Sequence, residues 1–164
     1  MNLRALRNAA EATVALATDV LERRHLTDSL DSAADSPGQL RKMTAAECAQ
    51  LLQEESVGRF AYIARAGTPD IAVVNYWFDG RDVLVRSGPG PKLQAADRGD
   101  RVVLEVDVLD RVGLVGRSVV VHGRATRVAA WTGGAELGPM PWALGARRHL
   151  IRIRPDRITG RSIG

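Results

Sequence analysis

Hydrophobic positions along the chain follow two rhythms, one near the 3.6-residue repeat of a helix and one at the two-residue repeat of a strand. Helical spacing governs residues 1–26, where Leu3, Leu6, Ala10, Val14, Ala17 and Leu21 recur among Arg4, Arg7, Glu11, Asp19 and Glu22. This stripe is alanine-rich and thin, so a helix built on it is marginal alone. It packs on the domain, pairs with a partner or frays in water. Residues 27–38, rich in Asp, Ser and Pro, read as a linker. Residues 1–38 therefore form a helical extension, and the folded domain is expected over 39–164.

The domain opens on a second helical stretch. Thr44 and Glu47 have the spacing of a capping box, and Met43 with Cys48 can form a hydrophobic staple, so a helix is predicted over 45–55 with Gly58 stopping it. From there the rhythm changes to that of strands. Residues 59–65 form the first, a turn at 66–69 closes it, and 71–78 follow, apolar at nearly every position on both faces. A strand with two apolar faces packs one on an interior and turns the other to a second subunit or a flat ligand.

Asp79-Gly80 is a hairpin turn, since this pair easily reaches positive φ. In the next strand, 82–87, Val83 and Val85 share one side, and Leu84 and Arg86 the other. A short helix is predicted over 92–97 and a strand over 101–108, with Val102, Leu104, Val106 and Val108 opposite Glu105 and Asp107. Residues 109–116 read as a loop and 117–129 as a long strand. In that strand Ser118, Val120, His122 and Arg124 lie opposite Val119, Val121 and Ala125, and Gly123 marks a bend or bulge. Residues 131–146 are irregular, and 149–161 make one or two closing strands around Pro155-Asp156. Six mainly antiparallel strands with few helices predict a small closed or split β-barrel.

Composition narrows the function. The 164 residues suffice for one domain with a real core, and the net charge of +4 is carried almost wholly by arginine, with Lys42 and Lys92 the only lysines. No basic run interleaved with aromatics points to nucleic acid. Cys48 stands alone, which excludes an intramolecular disulfide and any cysteine-rich zinc site. His25, His122 and His149 lack metal-ligand spacing. Without an apolar run long enough to span a membrane or a secretory signal, a cytoplasmic protein is expected.

One stretch carries chemistry. After Arg86 the chain reads Ser87-Gly-Pro-Gly-Pro-Lys92, which cannot continue a central strand. Arg86 offers a planar fork of donors, Ser87 a hydroxyl and Lys92 an ammonium at a helix start, while Gly88 and Gly90 let backbone amides approach a ligand. Such donors suit a phosphate monoester. Taken alone, the stretch also reads as a surface turn flanked by solvated cations.

The order of pieces decides between the two. A capped helix leads into Val57-Gly-Arg-Phe-Ala-Tyr-Ile63, then Val73-Val-Asn-Tyr76, then Val85-Arg-Ser-Gly-Pro-Gly-Pro-Lys-Leu93. Val102-Val-Leu-Glu-Val-Asp107, Gly116-Arg-Ser-Val-Val-Val-His-Gly-Arg-Ala125, Pro141-Trp142 and Ile151-Arg-Ile-Arg-Pro-Asp-Arg-Ile-Thr-Gly160 follow. This series, from about residue 40 to the C-terminus, resembles the pyridoxamine 5′-phosphate oxidase-like family of FMN-binding split barrels, in its short bacterial branch. The resemblance implies a six-stranded antiparallel split β-barrel and a homodimer with FMN in the groove between the barrels. It further implies that Arg86, Ser87 and Lys92 hold the phosphate, and that Val73, Val74 and Asn75 run along the isoalloxazine ring. Ser118 would contact the flavin, and Trp142 would border the ring from the partner subunit. Arg117, where an aromatic residue is common, and Pro91, where a small polar one is usual, depart from the family pattern.

By the same resemblance the chain is a flavin-dependent oxidoreductase acting on a small-molecule substrate or electron donor. Two further readings stand beside it: a deazaflavin coenzyme in a reductase of the same fold, or a protein that holds flavin or heme without turnover. Pyridoxamine phosphate oxidation itself is not expected, since Arg152, Arg154 and Arg157 lie in a strand-like run rather than in a terminal substrate clamp.

Overall fold

In a computed structural model of the chain, residues 38–128 and 148–164 are described. The elements run β1 (Leu40–Lys42), α1 (Ala45–Glu54), β2 (Val57–Ile63), β3 (Pro69–Phe78), β4 (Val83–Ser87), α2 (Pro91–Arg98), β5 (Arg101–Asp110), β6 (Val115–Val128) and β7 (His149–Ile163). All pairings are antiparallel, in the order β1-β7-β4-β3-β2-β5-β6. A further pairing of β6 with β7 closes six of these strands into a barrel, and β1 is added at the end of β7. This is the predicted split barrel.

Alternation along the strands builds the interior. Phe60 and Tyr62, Val74, Tyr76 and Phe78, Val83 and Val85, Val102, Leu104 and Val106, and Val119 and Val121 all point inward and are buried. The predicted face assignments hold for β4, β5 and β6, while Val108, near the open end of β5, is partly exposed.

Helix α1 begins with the predicted capping box: Thr44 Oγ1 accepts from the Glu47 amide, and the Glu47 carboxylate accepts from the Thr44 amide. Arg41 adds two bonds to that carboxylate, which holds the Glu47 pKa down at about 2. Met43 and Cys48 are both buried and meet the backbone of β7 at Gly160, where an added Cβ would lie 2.6 Å from Cys48 Sγ. Burial pushes the Cys48 thiol up to about 11, so the side chain is an inert packing group.

Several boundaries differ from those predicted. Helix α1 ends at Glu54 with Glu55 as its cap, so Gly58 does not stop it. Gly58 lies inside β2, where a Cβ would stand 2.9 Å from the Glu105 carbonyl oxygen of β5, so the residue serves close strand approach. The region predicted as a loop at 109–116 contributes to both β5 and β6, which leaves only residues 111–114 as the turn. Pro155 does not divide the last strand. The β6–β7 register shifts between His122 and Gly123, with Gly123 opposite Pro155 and His122 opposite Arg157, so Asp156 is the extra residue of a bulge.

Candidate flavin site

The turn after β4 is built as its residues require. Gly90 caps α2 at φ 141, in the region that favours glycine, and Pro91 occupies the first helical turn. Among the described residues, no side chain caps this helix, and a Cβ at Gly88 or Gly90 would meet nothing within 4 Å. The first turn of α2, with Lys92 in it, is thus uncapped by any described side chain, a suitable setting for an anion.

Alternation sorts the candidate residues between two sides of the sheet. Tyr76 pairs with Val85, both buried, so continuing that register sets Asn75 opposite Arg86 on the outer face. Both side chains are half-buried. Val73 lies on the same face, 73% exposed, with Ile71 beyond it at 66%. Val74 and Ser87 point the other way: Val74 belongs to the core, and Ser87 is buried with its Oγ donating to the Gly88 carbonyl at 2.8 Å. That hydroxyl fastens the turn. The structure therefore gathers Val73, Asn75 and Arg86 at one surface, with Lys92 at the start of the following helix.

Ser118 shares the outer face at a distance. It pairs with Asp107 of β5, whose carboxylate accepts from Arg59 of β2, and Arg59 is opposite Val73 of β3. Four strand spacings separate Ser118 from Arg86, roughly 19 Å along the sheet. An elongated ligand with an anionic tail at Arg86 could reach both. Trp142 lies outside the described residues.

Several neighbours of this surface escaped the sequence reading. Tyr62 donates its hydroxyl to Asp70 Oδ2. That bond, then one from the Ile71 amide, and finally the nearby Lys92 ammonium hold the Asp70 carboxyl below its ordinary value. Burial first and the Asp70 bond second push the Tyr62 phenol up to about 12. Arg59 bridges Glu105, at 2.9 Å, and Asp107, so that among the described residues one guanidinium serves two carboxylates in the middle of the outer face. Asp82 is buried, with the Nε atoms of Arg152 and Arg154 each 4.0 Å away, and burial followed by Asp79 raises its pKa. The Tyr62–Asp70 pair depends on a register that a turn at 66–69 does not give, and Asp82 reads in the sequence only as the first residue of a strand.

His122, on the outer side of β6, has its Nε2 3.0 Å from Arg157 Nη2. Burial and then that guanidinium lower its pKa, which favours a neutral ring accepting from Arg157.

Known proteins resemble this chain in sequence and fold. A segment of 85 residues, half of the chain, is 36% identical to an uncharacterized protein of Mycobacterium tuberculosis and covers 76% of it. The solved structure of an FAD-binding protein from Mycobacterium smegmatis matches 77% of this chain and all of that one, with TM-score 0.58 and 28% identity. An FAD-binding protein from Mesorhizobium loti shares the fold at TM-score 0.63 and 24% identity, over 77% of this chain and 98% of its own. The profile of the pyridoxamine 5′-phosphate oxidase family matches residues 44–162, from the Thr44 cap through the barrel to the end of β7. With its split-barrel fold and that match over most of its length, the chain belongs to the pyridoxamine 5′-phosphate oxidase family.

Proposed function

We propose that this protein is a flavin-dependent oxidoreductase that holds FMN against the outer face of β3, in the seam of a homodimer. The observation that carries the reading is the meeting of three features at the end of β4. Arg86 is on the outer side, the first amides of α2 have no side-chain cap among the described residues, and Ile71 and Val73 nearby are apolar and exposed. A phosphate would lie between the Arg86 guanidinium, the Lys92 ammonium and those amides, while the ring system covers the exposed valine and isoleucine. Ser87 keeps the turn in shape from below. The flavin, when bound, supplies hydride or electron transfer; the protein orients it and excludes water. The FAD-binding relative from Mycobacterium smegmatis supports a flavin and leaves its length to measurement.

The test is spectroscopic. Purified protein should show a flavin spectrum, with FMN released on denaturation and identified by mass, and the bound flavin should be bleached anaerobically by a reduced nicotinamide and reoxidised by a substrate. A Soret band, or a deazaflavin absorbance, would overturn the cofactor assignment. Stable flavin that no donor reduces would leave a carrier rather than an enzyme. In the Arg86→Ala/Lys92→Ala variant, flavin affinity should fall by roughly a hundredfold or more, since charge-assisted bonds contribute about 1.5–3 kcal/mol each. Circular dichroism should be unchanged. Full flavin occupancy in that variant would remove the phosphate assignment.

A further inference from the structure

Arg59 divides the outer face into an apolar and a charged half. On one side of β2, β3 sets Val73 opposite Arg59 and Ile71 opposite Ala61; on the other, β5 sets Glu105 opposite Arg59. Both ion pairs of the guanidinium are made by a single nitrogen. Nη1 donates to Glu105 Oε2 at 2.9 Å and to Asp107 Oδ1, which holds the head in place while using one part of its donor set. The edge formed by Nε–H and the adjoining N–H of Nη2 has no partner among the described residues. In a planar guanidinium that edge opens on the side opposite Nη1, hence away from the two carboxylates of β5. The neighbour of β2 across from β5 is β3, with its exposed Ile71 and Val73.

We propose that this edge of Arg59 orients the flavin, donating two parallel hydrogen bonds to the pyrimidine half of the isoalloxazine ring. The inference rests on the reading of β3 as the surface that the ring covers. An arginine side chain is longer than a valine, so a flat ring lying on Val73 meets the 50% exposed head of Arg59 at its rim rather than beneath it. The two ends of the ring differ in what they offer there. The dimethylbenzene end is apolar and would leave both N–H groups without an acceptor in a site closed to water. The pyrimidine half offers a ring nitrogen beside a carbonyl oxygen twice over, as N1 with the C2 oxygen and as N5 with the C4 oxygen, and either pair matches a planar fork. Glu105 and Asp107 set the fork in advance, so little freedom is lost when the ring arrives. Arg59 is thus a cofactor-binding residue, and it fixes which end of the ring lies toward β2.

Binding of FMN, 1-deaza-FMN and 5-deaza-FMN to the full-length protein tests it, since each analogue replaces one ring nitrogen by C–H. In the wild type one of the two analogues should bind roughly tenfold more weakly than FMN, which identifies the acceptor pair in use. In Arg59→Ala/Asp107→Asn, which removes the guanidinium and keeps the cluster's net charge, that analogue and FMN should bind within about twofold of each other. Arg59→Lys keeps a cation between the carboxylates without the fork, and should lose the same discrimination even if the double variant does not fold. Two analogues that bind the wild type as tightly as FMN, or a penalty that persists in both variants, would overturn the inference and leave the flavin site standing. Variants with native circular dichroism that bind none of the three would sink it as well, because Arg86 and Lys92 remain to hold the phosphate. A wild-type protein that takes up no flavin defeats the reading beneath it and this inference together.

Discussion

Glu47 holds one corner of the fold through ionised contacts. Its carboxylate accepts two bonds from Arg41 and closes the capping box on the Thr44 amide, so its folded pKa lies at about 2 against an ordinary 4.5. A depressed carboxyl pKa contributes stability that is fully present above the unfolded value and disappears as pH falls through the folded one. The window is therefore about pH 4.5 down to about 2. With the side chain 37% exposed, screening by water leaves about 1 kcal/mol of the nominal effect. Glu47→Gln should flatten the acid limb of the stability profile by that amount and leave the neutral region lowered by a similar one. Urea melts at pH 6 and pH 3 would show it; a wild-type-sized difference between the two pH values in the variant would place the acid sensitivity elsewhere.

At the level of elements, the long β6–β7 pair decides how the barrel closes, and its bulge depends on one missing side chain. A Cβ at Gly123 would stand 2.3 Å from the Arg154 carbonyl oxygen and 2.9 Å from its carbon, and backbone in a central ladder cannot move away as a flexible side chain would. Gly123→Ala should therefore destabilise by about 3 kcal/mol or more, at or above the usual range for an overpacked site. Calorimetry comparing it with Gly67→Ala, where a Cβ meets nothing but φ is 79, separates crowding from backbone conformation. If both melt alike, crowding at the bulge is not what makes Gly123 necessary. The sequence marked Gly123 as a bend from its place in an alternating run, yet it could not tell whether Pro155-Asp156 ended a strand. That depended on pairing with Gly123 of β6, far back in the chain, where the bulge accommodates a residue without an N–H in an unbroken strand. Gly58 misled for a similar reason. A glycine just past a helical stretch looks like its stop, whereas here the demand comes from β5 across the sheet. Strand β1 gave no pattern at all, being three residues long and defined by its pairing with the end of β7.

For the whole molecule, what alternation could specify was which residues face out; which of them adjoin required the strand order. Arg86, Asn75 and Val73 follow from parity plus one hairpin. Ser118 comes into relation with them only because β5 and β2 intervene between β6 and β3, a placement that no local pattern contains. The same strand order leaves Ile71 and Val73 on a broad outer face together with the half-buried Ala61, Val103 and Val120 and the Arg59–Glu105–Asp107 cluster. In a twofold pair each barrel would present this same patch to the other. If the proposed seam lies there, Val73→Glu places a carboxylate at its centre, beside a cluster that already carries an excess negative charge. Two such groups facing each other across a dry interface oppose association strongly, whereas on a free surface at 73% exposure the substitution costs little folding stability. Light scattering at micromolar concentration should therefore find Val73→Glu monomeric and depleted of flavin, with a melting temperature close to that of its own isolated barrel and native circular dichroism. A variant that remains dimeric and fully loaded with cofactor would move the seam off β3, and with it the ring from the surface that Ile71 and Val73 provide.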